Sequence, residues 1–486
     1  MFSTNPTNMA PFADWLPVRP AEDFDLVVKI IGPAASVIAK DWTRITQELA
    51  RQGLSVMTQR GRLGGEAGEF ALGMRLATRP FYSMGHGCDI LVSFADTTTD
   101  CGHVGLQPGS VLLRDLPETV AEPMPPEGVI SYAVPFTAIA RGNSDGLPGQ
   151  GLAALGALFY LLGVPSDTLT QWAESVSAPR SFVSGLEFAR ISLEKRDAYS
   201  LPLAERDTRP SLLISSEQAV LLGYATSNCD CQTACGRELL RCPEQWTEKH
   251  LDIARSMVSI LESEEHPGVQ AFRGPQGKVM ALLRGNDSAI ASCFQGHTAP
   301  HVFVASDIPD AIRLLHEGYR LVHAQESDAV GILIEESIAL RQQSLDVLAL
   351  SDLIRHDDRA SRHASSPLTE ASSAMADFDG HLDANIGFVA WGATQGIVRD
   401  AVALCRNFGL RVAALYPKQI VPFERDQLES FAKSVGRVVI VESGETRGYW
   451  NRLRPSFSFD YALLAPPPDE SLTPLTIFLR EGLGSV

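Results

Sequence analysis

The stretch LVVKIIGPAASVIAKDWTRITQELARQGLSVM, residues 26–57, decides the fold class. Its first six residues form an apolar run broken only by Lys29, and Gly32-Pro33 punctuates it. Such a run reads as a buried strand that meets a turn. Over residues 41–52 the period changes, and Trp42, Ile45 and Leu49 fall on one helical face. Gly53 is a helix stop, and residues 54–57 read as the next strand. Strand, helix, strand predicts a βαβ unit, hence a parallel sheet with a right-handed crossover.

Moving outward, residues 88–94 and 111–113 are further strands, the second preceded by the turn Gln107-Pro108-Gly109. Residues 151–164 are almost entirely apolar but include Gly156 and Gly163. The run falls short of the roughly 18 residues a membrane span needs, so it reads as a buried helix. A strand at 212–214 leads into a helix over 216–222, with Ser215 or Ser216 as N-cap. Ile312, Leu315 and Tyr319 mark a helix over 310–321, followed by a buried strand at 330–334. Residues 355–375, rich in Ser, Ala, Asp, Arg and His, read as a surface linker. After it come strands at 386–391, 412–415 and 437–442, with a helix at 397–408 that Gly409 stops.

A chain of 486 residues is too long for one ordinary core, so several domains are expected. With 45% hydrophobic and 20% charged residues it is a globular composition. The formal net charge of -17 argues against nucleic acid or an anionic membrane as partner. Eight cysteines without a secretory signal pattern point to a reducing cytoplasm.

Two local groups carry candidate chemistry. Arg273 precedes Gly274, Pro275 and Gly277 in a turn-rich run. An Arg held there offers a planar fork suited to a carboxylate or phosphate, or is a solvated loop Arg. Cys229, Cys231, Cys235 and Cys242 lie within one short segment. They could hold zinc or an iron–sulfur cluster, although C-x-C-x3-C-x6-C is neither a zinc-ribbon nor a ferredoxin spacing; free thiols or a redox pair are the other readings.

The segment from Arg273 through Gly296, His297 and Pro300 resembles 2-oxoacid:ferredoxin oxidoreductase α subunits, which read Arg-Gly-Gly-Pro-Ser-Thr-Gly and later Gly-Gly-His-Gly-x-x-Pro. Arg62-Leu63-Gly64-Gly65, Pro108-Gly109-Ser110-Val111 and Val134-Pro135-Phe136 resemble the γ domain of the same enzymes. Trp391-Gly392-Ala393-Thr394, Pro422-Phe423 and residues 439–444 resemble their transketolase-type C-terminal domain. The order matches fused γ–α subunits of the 2-oxoglutarate synthase α type, in a divergent and shortened form.

This resemblance implies an α/β fold of three domains with mainly parallel sheets: a γ-like domain at 25–205, a shortened pyrimidine-binding-type domain at 206–352, a linker at 353–384 and the C-terminal domain at 385–486. It implies that Arg273, with Thr233, holds the carboxylate of a 2-oxoacid, and that His297 is catalytic. It also implies thiamine diphosphate and Mg²⁺ at an interface, held mainly by a β-type subunit that carries the iron–sulfur cluster, with ferredoxin or another electron acceptor. The chain contains no Gly-Asp-Gly element for Mg²⁺, and none of Glu262, Glu264 and Glu265 can be assigned to the thiamine pyrimidine. Where the γ domain has a glycine-rich loop, this chain has Gly32-Pro33-Ala34-Ala35-Ser36, so no nucleotide or coenzyme A site is expected there. Two alternatives stay open: a catalytically degenerate scaffold subunit, and a metal or redox module built on the four cysteines.

Overall fold

The expected first strand forms as β1 (Asp25–Ile31) in a computed structural model. The structure describes residues 24–63, 69–94, 105–116, 124–203, 211–216, 218–219, 223, 269–273, 279–284, 300–323, 329–346, 376–381, 383–443, 450, 454, 459–466 and 472–482. After β1 the chain enters a short helix, α1 (Pro33–Val37), and then α2 (Ala39–Arg51), whose Trp42, Ile45 and Leu49 are buried as their spacing predicts. The next strand is β2 (Ser55–Leu63).

These elements keep the direction of a βαβ unit but not its adjacency. A third strand, β3 (Glu69–Ala77), lies between β1 and β2 and pairs antiparallel with both. β1 and β2 therefore run the same way with β3 between them. The reason lies in chain economy and pattern. An antiparallel neighbour needs only a short connection, whereas a parallel one needs a crossover. Leu72, Met74 and Leu76 alternate on β3 and bury completely.

Beyond β1 the sheet continues in parallel through β4 (Cys88–Ser93), β5 (Leu106–Asp115) and β6 (Ile130–Val134). Beyond β2 it gains two antiparallel strands from later in the chain, β12 (Arg341–Asp346) and β7 (Ser211–Ser215). The eight strands are ordered β6-β5-β4-β1-β3-β2-β12-β7. After β7, Ser215 is the cap of the two serines expected: its Oγ accepts from Gln218 N, while Gln218 Oε1 accepts from Ser215 N.

One face of this sheet, with Leu26, Val28 and Ile30 on β1, packs into the largest core. It lies under α2 and the helices α3 (Phe136–Asn143), α4 (Gly146–Leu161), α5 (Ser166–Ser175) and α6 (Pro179–Ser192). The apolar run read as a buried helix forms most of α4, and it packs so closely on α6 that side chains do not fit between. A Cβ on Gly185 would lie 2.0 Å from the Ala153 carbonyl oxygen, and one on Gly156 2.1 Å from that of Phe182.

A second sheet contains β8 (Val269–Arg273), β9 (Val279–Arg284), β10 (Pro300–Val304) and β11 (Ala329–Ile334), with α7 (Ile308–His323) and the short α8 (Glu336–Ala339). The third holds β13 (Ala376–Gly380), β14 (Ile386–Val389), β15 (Val412–Pro417), β17 (Arg437–Val441) and β18 (Tyr461–Leu464), with α9 (Ala393–Asn407) and α10 (Arg425–Ser434). β13 falls within the segment expected as linker and pairs antiparallel with β15. Its sequence, Ala-Asp-Phe-Asp-Gly, is polar enough to hide an edge strand. The chain also crosses between sheets: β16 (Gln419–Val421) leaves the third to form the edge of the second beside β10. The second sheet has parallel central strands between antiparallel edges, the third is parallel except for β13, and the first joins a parallel half to an antiparallel half. With helices packed on them the fold is α/β as expected. Among the described residues no helix is long and apolar enough to cross a membrane.

The tight α4–α6 crossing yields a prediction. Gly185→Ala forces a methyl against a backbone carbonyl, which can move only with its helix. Its unfolding free energy, from urea titration followed by circular dichroism, falls by about 2 kcal/mol. An unchanged midpoint contradicts this packing.

Candidate functional site

The second face of the first sheet presents Val27, Lys29 and Ile31 on β1, and Ala71, Gly73 and Arg75 on β3. It looks toward the C-terminal part of the chain, and a cleft of about 560 Å³ opens there. Lys29, Gln59 and Gly73 line one side, with Ser337, Thr394 and Ser443 on the other. These three hydroxyl residues follow the carboxyl ends of β11, β14 and β17 in turn. Ligands of open α/β sheets bind outside the carboxyl ends of parallel strands, and this cleft occupies that position for two sheets at once.

Buried carboxylates stand behind the far wall and fix its backbone. Glu335 follows β11 and is 2% exposed; its Oε2 accepts from Ala393 N at 2.7 Å, tying the first turn of α9 to the second sheet. The turn before α9 must come close, and Gly392 permits it: its φ is 57°, and a Cβ there would lie 2.4 Å from Glu335 Oε1. Glu442 follows β17, and its Oε1 accepts from Trp450 N at 2.8 Å.

One ionic hub ties the two sides of the cleft together, and a second joins the sheets behind its far wall. On β3, Arg75 bonds Asp25 through Nη2 at 2.9 Å and Asp400 of α9 through Nη1 at 2.7 Å. Asp400 also accepts from Tyr82 N, Ser83 N and Ser83 Oγ. Burial alone would lower the Arg75 pKa; the hydrogen bond to Asp25 and the charges of Asp400 and Asp25 outweigh it and raise it further. Beyond this hub, toward Asp89 and Tyr199, lies a second cleft of about 620 Å³.

The other hub centres on Lys418, 4% exposed, which bonds Asp310 at 2.9 Å and Asp377 at 3.2 Å. Asp377 also takes Arg399 at 2.6 Å, and that guanidinium lies 4.7 Å over the Tyr416 ring. Burial pushes the Asp310 carboxyl up, but Lys418 and Arg313 more than reverse this and hold it below the usual range. Its neighbour Asp307 is raised, by burial first and then by the charge of Asp310.

Of the site residues expected from sequence, Arg273 is the last residue of β8, an edge strand, opposite Val279. Thr233, His297, Cys229, Cys231, Cys235 and Cys242 lie outside the described residues. The sequence reading did not single out Lys29, Gln59, Arg75 or Arg341. The one available signal was Lys29, a lone charge in an apolar strand. Among the described residues no group of three or more His, Cys, Asp and Glu could hold a metal ion. The described thiols Cys88 and Cys405 are buried, which pushes each up to about 12.

Residues 57–189 match the family model of pyruvate ferredoxin/flavodoxin oxidoreductases. No curated protein sequence matches the chain. Among solved structures, the chain is similar to a 2-oxoglutarate:ferredoxin oxidoreductase from Magnetococcus marinus determined with 2-oxoglutarate, coenzyme A and succinyl-CoA bound. That match has a TM-score of 0.70 at 16% identity and covers 94% of this chain and 98% of the other. It establishes a shared fold over nearly the whole length. Shorter matches are a keto/oxoacid ferredoxin oxidoreductase γ subunit from Geobacter sulfurreducens (18% identity, 35% of this chain and 99% of that chain, TM-score 0.28) and a pyruvate oxidoreductase subunit from Thermotoga maritima (18%, 34% and 92%, 0.27).

Arg75→Ala leaves Asp25 and Asp400 facing each other without their shared counter-charge. Stability falls by about 3 kcal/mol in urea titration, and a change below 1 kcal/mol discounts the hub. Cys88 and Cys405 resist alkylation by iodoacetamide at pH 8 in the folded chain and react in urea, as mass spectrometry of their peptides reads directly.

Proposed function

We propose that this chain is the α-type subunit of a 2-oxoacid:acceptor oxidoreductase, which decarboxylates a 2-oxoacid oxidatively and works only with a β-type subunit. The observation that carries the reading is the fold shared over 94% of this chain with a 2-oxoglutarate:ferredoxin oxidoreductase. The match of residues 57–189 to the pyruvate ferredoxin/flavodoxin oxidoreductase family supports it independently.

The division of labour rests on the resemblance to the family's α subunits. The sequence has no Gly-Asp-Gly element of the kind that holds Mg²⁺ in the β subunits of the resembled family. We therefore assign thiamine diphosphate, its Mg²⁺ and the iron–sulfur cluster to the β-type partner, and ferredoxin or another acceptor to electron removal. When bound, thiamine diphosphate supplies the carbanion chemistry of decarboxylation. This chain supplies a wall of the shared cavity. In it Arg273, at the end of an edge strand, clamps the substrate carboxylate with Thr233, while His297 serves as proton donor. The three-domain division at 205, 352 and 385 belongs to the same proposal.

A second reading, a scaffold subunit without its own chemistry, draws on the start of α1. There Pro33 replaces a backbone donor, and the helix has no side-chain cap. Coexpression with a β-type subunit separates the two. Under the first reading the purified complex reduces a viologen dye on addition of a 2-oxoacid; an intact complex that stays inactive with every 2-oxoacid supports the second. In an active complex, Arg273→Ala raises KM for the 2-oxoacid roughly 10- to 100-fold, the loss of one charge-assisted hydrogen-bonding group. An unchanged KM retires the clamp.

A further inference from the structure

Four neighbouring strands bring one row of residues into register on the face that lines the 560 Å³ cleft. Lys29 on β1 stands opposite Gly73 on β3. Gly73 stands opposite Gln59 on β2, and Gln59 opposite Arg341 on β12. Residues directly opposite in antiparallel pairs project to the same side, so one surface carries Lys, Gly, Gln and Arg in line. All four line the cleft.

The row is basic at both ends and low in the middle. Gly73 leaves the sheet bare between Lys29 and Gln59. In the next row on that face, Gly61 stands opposite Ala71, and a Cβ on Gly61 would meet nothing within 4 Å. Strands lie about 4.8 Å apart, so the Lys29 and Arg341 backbones are separated by about 14 Å. Two side chains of that length can approach one small ligand from opposite ends. Arg341 is 5% exposed, which fixes its guanidinium, a planar donor fork, against the protein.

Across the cleft stand the hydroxyl residues Ser337, Thr394 and Ser443. No Asp or Glu is among the described residues that line it, in a chain whose net charge is -17. The two buried carboxylates at the strand ends, Glu335 and Glu442, accept from the backbone N–H groups of Ala393 and Trp450.

We propose that this cleft binds a small polyanion, a molecule bearing at least two phosphoryl or carboxylate groups, held between Lys29 and Arg341 with Gln59 and the facing hydroxyls as hydrogen-bonding partners. The volume suits a compact ligand, since small-molecule sites run from roughly 300 to 1,000 Å³. This binding concerns the present chain alone and does not depend on a β-type subunit or on turnover.

Isothermal titration of the full chain at low ionic strength with pyrophosphate, and separately with succinate, tests it. At least one probe binds at one site per chain; the tighter of the two tells a phosphoryl ligand from a carboxylate one. Lys29→Gln weakens that binding about tenfold, the loss of one charge-assisted contact. Gly61→Asp places a carboxylate on the open floor and abolishes it, while the circular dichroism melting curve stays that of the parent. Absence of binding by both probes overturns the proposal. So does either variant, correctly folded, binding as tightly as the parent.

Discussion

A mixed sheet that sheathes one face in helices leaves the other face to be covered by distant chain. Here the cover is tied on by one guanidinium. Arg75 sits on β3, the strand inserted between β1 and β2, and bonds Asp25 of β1 and Asp400 of α9 together. Exchanging water for two carboxylates in a nearly dry site is favourable only with good geometry. Both bonds are shorter than 3 Å, and Asp400 is further held by the N–H groups of Tyr82 and Ser83. The hub therefore fixes where α9 lies. That in turn fixes the turn before α9 against Glu335, and with it the wall of the cleft.

The second and third sheets depend on each other in a similar way. β16 leaves the third sheet to pair with β10, and Lys418, just before it, is carried into the second sheet's territory. A buried ammonium is tolerable only with counter-charge, and Asp310 of α7, beside the second sheet, and Asp377 of β13, in the third, supply it. The exchange of a strand and the burial of a charge are thus one event. It brings the carboxyl ends of β11, β14 and β17 around a common space instead of leaving them as separate sheet edges.

Most single elements were legible in the sequence, because their signals are local. Trp42, Ile45 and Leu49 announce α2, and Gly409 announces the end of α9. The apolar run at 151–164 announces the buried α4. Pairing was much less legible. Nothing in residues 69–77 says that this strand will insert between two others, because register is set by tertiary partners. β13 was missed because a polar edge strand lacks the apolar alternation that marks buried ones. The site failed to show itself for the same reason. Lys29, Gln59 and Arg341 are up to about 310 residues apart in sequence, and only the pairings of β1, β3, β2 and β12 place them in one row.

That row also explains how an acidic chain can line a cleft with Lys29 and Arg341 and no Asp or Glu among the described residues. Net charge describes the field far from the molecule, and salt screens it within a Debye length of about 8 Å at physiological ionic strength. Inside a cleft the nearest groups dominate, and low-dielectric walls concentrate their field. Lys29 and Arg341 border the cleft, whereas Asp25, Asp400, Asp310 and Asp377 are engaged in the hubs with Arg75 and Lys418. The carboxylates that tie the three sheets together are thus taken up by Arg75 and Lys418 and do not line the cleft between the sheets.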